Sequence, residues 1–172
     1  FAKNQKAAAV LSKQIQDGNA NKDYIALCSG VLDEKSGKLI HYIKKDSATK
    51  LAKVIDEHTF LGMQAETKEG SADYKKAVLT YDVEKIFENY SIVKVHLQTG
   101  RFHQIRAQFS HIGHALLGDA KYGSAESRNL SMQNRINKIA LCANHLTLKH
   151  PVTGKEMDFV LALEYLPQWY KG

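Results

Sequence analysis

The sequence is poor in the residues from which zinc sites and disulfide frameworks are built. It has only two cysteines, Cys28 and Cys142, and they lie far apart with no CxxC or Cys/His spacing around them. A structural zinc site needs such spacing, so the sequence argues against a metal site. Each cysteine sits in an alternating apolar run, which predicts two buried, reduced thiols in a cytoplasmic protein.

Long apolar stretches are also missing. No run approaches the roughly 20 residues needed to span a bilayer, and no signal peptide is visible, so no membrane association is expected. The chain starts without methionine, at Phe1-Ala2-Lys3, which is typical of the end of a strand and predicts a fragment of a longer protein. Its 172 residues, 44% hydrophobic and 24% charged, suit one globular domain.

Arginine is scarce although positive charge is not. The net charge of +6 favours an anionic partner, most commonly nucleic acid, although a basic surface can also serve solubility alone. Only four of the 24 basic residues are arginine, and two of these, Arg101 and Arg106, fall within six residues. The planar guanidinium binds carboxylate or phosphate in a way that lysine cannot copy, so this stretch is chemically unusual for the chain.

Hydrophobic periodicity predicts an α+β fold with a mixed, mainly antiparallel sheet and a few flanking helices. Residues 44–72 are interpreted as a variable excursion and residues 124–137 as a loop, because neither shows a clear period. The predicted helices are residues 4–17 and about 102–111, and the predicted strands are residues 24–28, 39–43, 77–87, 91–98, 139–148 and 156–161.

The run Leu97-Gln98-Thr99-Gly100-Arg101-Phe102-His103-Gln104-Ile105-Arg106 carries the most chemical information. A strand leads into Thr99-Gly100, and a helix is predicted to begin with both arginines in its first turns. Free backbone N–H groups and the dipole favour anions there. His103 and Arg106 are three residues apart and so share a face, which predicts an anion site or, as the alternative, a solvated polar face.

This run, continued by His111-Ile112-Gly113-His114-Ala115-Leu116-Leu117-Gly118-Asp119-Ala120-Lys121-Tyr122-Gly123, resembles the motifs of the RluA family of RNA pseudouridine synthases. The family patterns are TGR-x-HQIR and GHP-LLGD-x-x-YG. Ala115 here replaces the proline, and Cys142 replaces a histidine of the family's LHA segment. Four further segments are similar to family motifs: Phe1-Ala2-Lys3, residues 21–27, residues 141–143 and residues 150–154.

The resemblance implies isomerisation of uridine to pseudouridine in RNA, without metal or cofactor. It places a catalytic tyrosine at Tyr24 and a catalytic arginine at Arg106, where the arginine pairs with the family's essential aspartate. Arg101 and His103 are expected to contact RNA phosphate or to brace their loop, and Gln104 is expected among the substrate contacts. Leu141 is expected to line the base pocket, with a core position as its alternative.

The resemblance also implies an RNA partner and a catalytic motif that these residues do not contain. The expected partner is ribosomal or transfer RNA, bound by a monomer. The family's aspartate lies in an H-R-L-D motif shortly before the FAK segment, so these 172 residues are expected to be most of one catalytic domain without its nucleophile. Asp119 matches the family's Leu-Gly-Asp turn, where a structural role is expected. The chain alone is therefore predicted to form no pseudouridine.

Two other functions compete with this interpretation. A non-catalytic RNA-binding module explains the charge, although it does not explain Tyr24 and Arg106 in their matching contexts. A small metalloenzyme could use His111 and His114 with Asp119, because histidines three residues apart can share a metal on a helix. The predicted end of that helix at Gly113 disfavours this arrangement.

Overall fold

The computed structural model describes residues 2–171, except for the side chains of Lys68 and Glu69; Phe1 of the FAK segment lies outside the described residues. Seven strands occur in this part of the chain: β1 Asn21–Ser29, β2 Ser36–Lys45, β3 Ala52–Ile55, β4 Lys75–Ile86, β5 Tyr90–Leu97, β6 Leu141–Lys149 and β7 Glu156–Val160. They form one sheet in the order β3-β2-β4-β5-β1-β6-β7, and every neighbouring pair is antiparallel. The predicted α+β class is confirmed.

The helices flank this sheet, and the first of them forms as its sequence predicts. They are α1 Gln5–Gln16, α2 Glu57–Glu66, α3 Lys68–Ser71, α4 Gln104–His111, α5 Ala125–Gln133 and α6 Gln168–Lys171, with a 3₁₀ turn at Leu163–Tyr165. Asn4 caps α1 by accepting a hydrogen bond from the amide of Ala7 at 2.9 Å. Gly18 follows the helix with φ +74°, which glycine adopts without steric cost.

Residues 44–72, interpreted from the sequence as a variable excursion, contain regular elements that were not predicted. This segment contains β3, α2 and α3. The apolar residues of helix α2 do not recur on one face, so it lacks the apolar stripe by which a helix is recognised in a sequence. Local interactions define it instead: Asp56 accepts from the Thr59 amide at 2.6 Å, and the Phe60 ring stacks on Tyr42 with centres 3.7 Å apart.

The interpretation of residues 124–137 as a loop was wrong, because most of it is α5. Ser124 caps this helix through the Ser127 amide at 3.0 Å. The buried side of α5 consists of Ser127, Leu130 and Ser131, so serine occupies positions where a pattern search expects apolar residues.

The main core lies between the sheet and α4. Ile105 and Phe109 of α4 pack against alternate residues of the central strands, as the helical spacing predicts. Cys28 is fully buried in this core, and burial raises the pKa of its thiol to about 12. Cys142 is only half-buried, so the expectation of a second buried cysteine was wrong. No helix within residues 2–171 is long and apolar enough to cross a membrane.

A cluster of histidines and aspartates joins the edge of the sheet to β1. His145 Nδ1 lies 2.9 Å from Asp23 Oδ2, and its Nε2 contacts Asp158 on β7. Both partners are carboxylates, which accept hydrogen bonds when ionised and therefore favour the doubly protonated, cationic form of His145. The hydrogen bonds to Asp158 and Asp23 accordingly raise the pKa of His145. His96 binds the other oxygen of Asp23 at 2.6 Å.

This cluster makes stability depend on pH in a defined direction. A raised histidine pKa stabilises the fold below the unfolded value of about 6.5, and that stabilisation disappears as pH rises through the folded pKa. We expect the unfolding free energy, measured in urea at pH 5.5 and 8.5, to fall further over this interval in the wild type than in His145→Gln. His58→Gln, at an exposed position of α2, is the control. An identical fall in all three proteins would contradict the assignment.

Candidate functional site

The candidate site surrounds the start of α4, and this start differs from the predicted one. The helix begins at Gln104, about two residues later than predicted, and His103 precedes it in the left-handed conformation with φ +52°. Arg101 and His103 therefore lie in the preceding loop and not in the first helical turn. Arg106 is the arginine that the helix itself carries.

Gln104 holds this loop to the sheet. Its side chain is 3% exposed, and its amide nitrogen donates to the Val78 carbonyl at 3.1 Å. Its oxygen accepts from the Thr99 hydroxyl and from the Arg101 amide, both at 2.9 Å. Both the nitrogen and the oxygen of the side-chain amide are thus hydrogen-bonded within the protein. Gln104, expected as a substrate contact, has a structural position here.

Arg101 and His103 take different positions in the loop. Arg101 is exposed, and its Nε donates to the Lys76 carbonyl at 2.9 Å. His103 is half-buried, and its Nδ1 lies 3.0 Å from the Tyr122 hydroxyl. Burial, followed by the nearby charges of Arg106 and Lys121, lowers the pKa of His103, so the ring is neutral at pH 7. A neutral ring has one N–H, so the tautomer decides whether Nδ1 donates to the Tyr122 hydroxyl or accepts from it.

Arg106 forms a two-pronged ion pair with Asp119. Its Nε donates to Oδ2 at 2.7 Å and its Nη2 to Oδ1 at 2.8 Å. The Asp119 side chain is fully buried, whereas 13% of the Arg106 side chain is exposed. Burial alone would raise the pKa of Asp119, but the hydrogen bonds from Arg106 and from the amides of Tyr122 and Lys121 outweigh it, so the pKa is lowered.

The turn that carries Asp119 is shaped by two glycines. Gly118 has φ +73°, and a Cβ there would lie 2.0 Å from the Lys138 carbonyl oxygen. Gly123 closes the turn by donating its amide to the Asp119 carbonyl at 2.9 Å, and a Cβ would come within 2.4 Å of that oxygen. Only glycine fits either position, so the turn fixes the direction of the Asp119 carboxylate.

The ion pair with Asp119 does not use all the N–H donors of Arg106. A guanidinium has five N–H donors, and the pair with Asp119 uses two of them. The guanidinium carbon lies 4.9 Å from the centre of the Tyr122 ring, which supports its flat face. Asp119 and Tyr122 thus orient Arg106, and three N–H groups of its guanidinium lie outside the ion pair.

Tyr24 and Leu141 lie on the same face of the sheet as α4. Both are half-buried and pack against the cluster that contains Ile105 and Phe109. Tyr24 has no hydrogen-bond partner for its hydroxyl among residues 2–171, and burial raises the pKa of that hydroxyl. Tyr24 is therefore protonated at neutral pH and free to interact with a ligand. Leu141 also contacts the core, in agreement with the alternative considered for it.

The residues of the metalloenzyme hypothesis are each bound elsewhere. His111 lies edge-on to His41 with ring centres 4.8 Å apart, and His114 Nδ1 binds the Ser29 carbonyl at 2.9 Å. Asp119 is paired with Arg106. No group of three or more histidine, cysteine, aspartate or glutamate side chains in the described part of the chain could hold a metal ion.

Tyr122 is the site residue that sequence reasoning missed. Its hydroxyl accepts from the Ala52 amide at 2.6 Å, and its ring contacts both His103 and Arg106. The tyrosine belongs to the Leu-Gly-Asp-x-x-Tyr-Gly pattern, which marked the position without assigning a role to it. Ala52, whose amide binds the Tyr122 hydroxyl, begins β3 within residues 44–72, where the sequence shows no clear hydrophobic period.

Comparison with known proteins identifies the class. The family model described as RNA pseudouridylate synthase matches residues 1–111, and the chain belongs to this family. Its relatives include proteins named ribosomal large subunit pseudouridine synthase C and tRNA pseudouridine synthase C, which places it among the RluA-type members.

Three relatives illustrate the extent of the likeness. An uncharacterized RNA pseudouridine synthase of Chlorobaculum parvum is 30% identical over 169 residues, which are 92% of this chain and 48% of the relative. Ribosomal large subunit pseudouridine synthase C of Buchnera aphidicola is also 30% identical, over 95% of this chain and 48% of its own length. The tRNA pseudouridine synthase C of Haemophilus ducreyi is 28% identical over 98% of this chain and 68% of its own.

Solved structures agree at the level of the fold. Human RNA pseudouridylate synthase domain containing 1 superposes with a TM-score of 0.72 at 23% identity, over 96% of this chain and 64% of the human one. The chain spans about half the length of the Chlorobaculum parvum and Buchnera aphidicola proteins named above.

Proposed function

We propose that the protein to which this chain belongs converts uridine to pseudouridine in ribosomal or transfer RNA, and that these residues form most of its catalytic domain. The reaction is an isomerisation: the bond from C1′ to N1 breaks, a bond from C1′ to C5 forms, C5 loses its proton and N1 gains one. Membership in the family, with relatives named for both kinds of RNA, supports this function.

The observation that carries the proposal is the position of two motif residues from distant parts of the chain. Tyr24 on β1 and Arg106 on α4 match family motifs, and the Tyr24 ring packs against the same cluster as the apolar face of α4. In this proposal the Tyr24 hydroxyl assists proton removal at C5, and Arg106 orients the carboxylate that acts at C1′. Leu141 borders the base, and Arg101 and His103 lie where the RNA backbone approaches.

Asp119 is not the reacting carboxylate in this proposal. Its side chain is fully buried, and both oxygens accept hydrogen bonds from Arg106. Oδ1 also accepts from the Lys121 and Tyr122 amides at 2.9 Å and 3.1 Å. A carboxylate held in this way cannot reach a sugar carbon. In this proposal the reacting carboxylate is a different one, and it pairs with the N–H groups of Arg106 that Asp119 leaves unused.

Tritium release from RNA carrying 5-tritiated uridine tests the proposal, because tritium at C5 is lost when C5 bonds to the sugar. We expect no release by residues 1–172 alone and release by a longer form that includes residues encoded before Phe1. Release by the short chain would show that it holds its own reaction carboxylate. Absence of release from ribosomal and transfer RNA by the longer form would contradict the proposed function.

A non-catalytic RNA-binding module is the second candidate, favoured by the net charge of +6. It would bind RNA with the same salt dependence but release no tritium in any form of the protein. A monomeric state and a cytoplasmic setting, where ribosomal and transfer RNA are encountered, complete the proposal.

A further inference from the structure

A continuous row of planar side chains runs from the buried ion pair to the surface. The Arg106 guanidinium lies over the Tyr122 ring, and the His103 ring meets Tyr122 edge-on with centres 5.6 Å apart. Phe102 stacks on His103 with centres 3.9 Å apart and an angle of 25° between the rings. The row therefore begins at Asp119 and ends at Phe102.

Phe102 packs against His103 although it is 37% exposed. The His103 ring behind it is fixed by the Tyr122 hydroxyl at 3.0 Å, and that hydroxyl is itself fixed by the Ala52 amide at 2.6 Å. Because Phe102 already packs against a hydrogen-bonded neighbour, it has less conformational freedom to lose when a ligand covers it than a free side chain has. An apolar ring anchored at the surface in this way is suited to stacking.

The surroundings of Phe102 are cationic. The exposed Lys45 ammonium lies 4.8 Å from the centre of the ring. Arg101 precedes Phe102 and is exposed, and among the described residues the hydrogen bond of its side chain is the one from Nε to Lys76. Lys121 is close enough to lower the pKa of His103 and is also exposed. A planar apolar surface among exposed cations is the combination that binds unpaired nucleic acid.

We propose that Phe102, backed by His103, stacks on an unpaired base of the RNA that flanks the target uridine, and that this base displaces the exposed Lys45 ammonium, which lies over the ring, so that Lys45 pairs with the adjacent phosphate. This inference rests on the proposed function, because it assumes that the ligand is RNA. Bases in a duplex stack on each other and leave no face for Phe102, so the platform selects single-stranded or looped RNA. It does not select a sequence, since every base has a flat face.

The test is the binding of a short single-stranded RNA to the 172-residue chain, followed by fluorescence anisotropy over a range of salt concentrations. We expect Phe102→Ala to weaken binding roughly 5- to 150-fold without changing the salt dependence, since stacking releases no counterions. Lys45→Gln should reduce the slope of log K against log salt by about 0.7. Phe102→Trp should keep the affinity, and the fluorescence of its new indole should be quenched when RNA binds. The fluorescence of Trp169 in the wild type should not change.

Two controls separate stacking from loss of fold. Tyr165→Ala removes another exposed aromatic residue, which is 69% exposed in the 3₁₀ turn, and should leave binding unchanged. A fully paired duplex should bind wild type and Phe102→Ala equally. Equal affinity of wild type and Phe102→Ala for single-stranded RNA overturns this inference and leaves the proposed function standing. Failure of the wild-type chain to bind any RNA counts against both.

Discussion

Replacement of Tyr24 by phenylalanine should lower the rate of pseudouridine formation about 10²- to 10⁴-fold, the range expected when a general acid or base is removed. The change deletes one hydroxyl and keeps the ring. That hydroxyl has no protein partner among residues 2–171, whereas the ring packs against the main core. The loss should therefore appear in the chemical step, with little change in thermal stability.

Single-turnover product formation, measured in a longer form that shows turnover, is the appropriate readout. Tyr90→Phe is the matched control: Tyr90 is also half-buried and packs against the second apolar cluster, which contains Leu27 and Ile92. Rates of Tyr24→Phe and Tyr90→Phe that agree within a few-fold would remove Tyr24 from the chemistry. A reduced rate together with a lower melting temperature would instead indicate a role in packing.

The sequence predicts the parts of this fold that bury an apolar face. Helix α4 and the β4-β5 hairpin were found because Ile105 and Phe109 recur at helical spacing and the strands alternate. Helix α5 was missed because two of its three buried residues, Ser127 and Ser131, are polar. Helix α2 was missed because its apolar residues do not recur on one face, whereas those of α1 do. Apolar periodicity in a sequence predicts helices that pack against a core, and it does not predict helices that are stabilised by caps and surface contacts.

The resemblance pointed to some members of the candidate site, including Arg106, but it missed Tyr122. It implied that Arg106 pairs with the family's essential aspartate. It did not predict Asp119, because that contact depends on a turn whose shape is set by Gly118 and Gly123. The start of α4 was misplaced for a similar reason: the left-handed backbone at His103 comes from tertiary contacts to Tyr122.

Loss of the Arg106–Asp119 pair should be the largest stability effect among these side chains. Asp119→Ala leaves a largely buried guanidinium without its partner, and breaking a buried pair costs about 3–5 kcal/mol of unfolding free energy. Asp119→Asn should also be costly. With its oxygen at the Oδ1 position it keeps the acceptor for the Lys121 and Tyr122 amides, but its NH₂ group then faces the Arg106 Nε–H, donor against donor.

Urea unfolding of wild type, Asp119→Ala and Asp119→Asn measures this loss. Asp73→Ala is the control, because Asp73 pairs with Lys44 at 2.8 Å but is 71% exposed, and a solvated pair contributes far less. A comparable loss in Asp73→Ala and Asp119→Ala would contradict the structural role of the buried pair.

The acid dependence of the same variants gives an independent check. Because the folded pKa of Asp119 is lowered, its contribution is present above the unfolded value of about 3.9 and is lost as pH falls through the folded pKa. The stability difference between wild type and Asp119→Asn should therefore be constant from neutral pH to about pH 5 and shrink in stronger acid. A difference that instead grows on acidification would mean that Asp119 is protonated in the fold, and that Arg106 is oriented by other contacts.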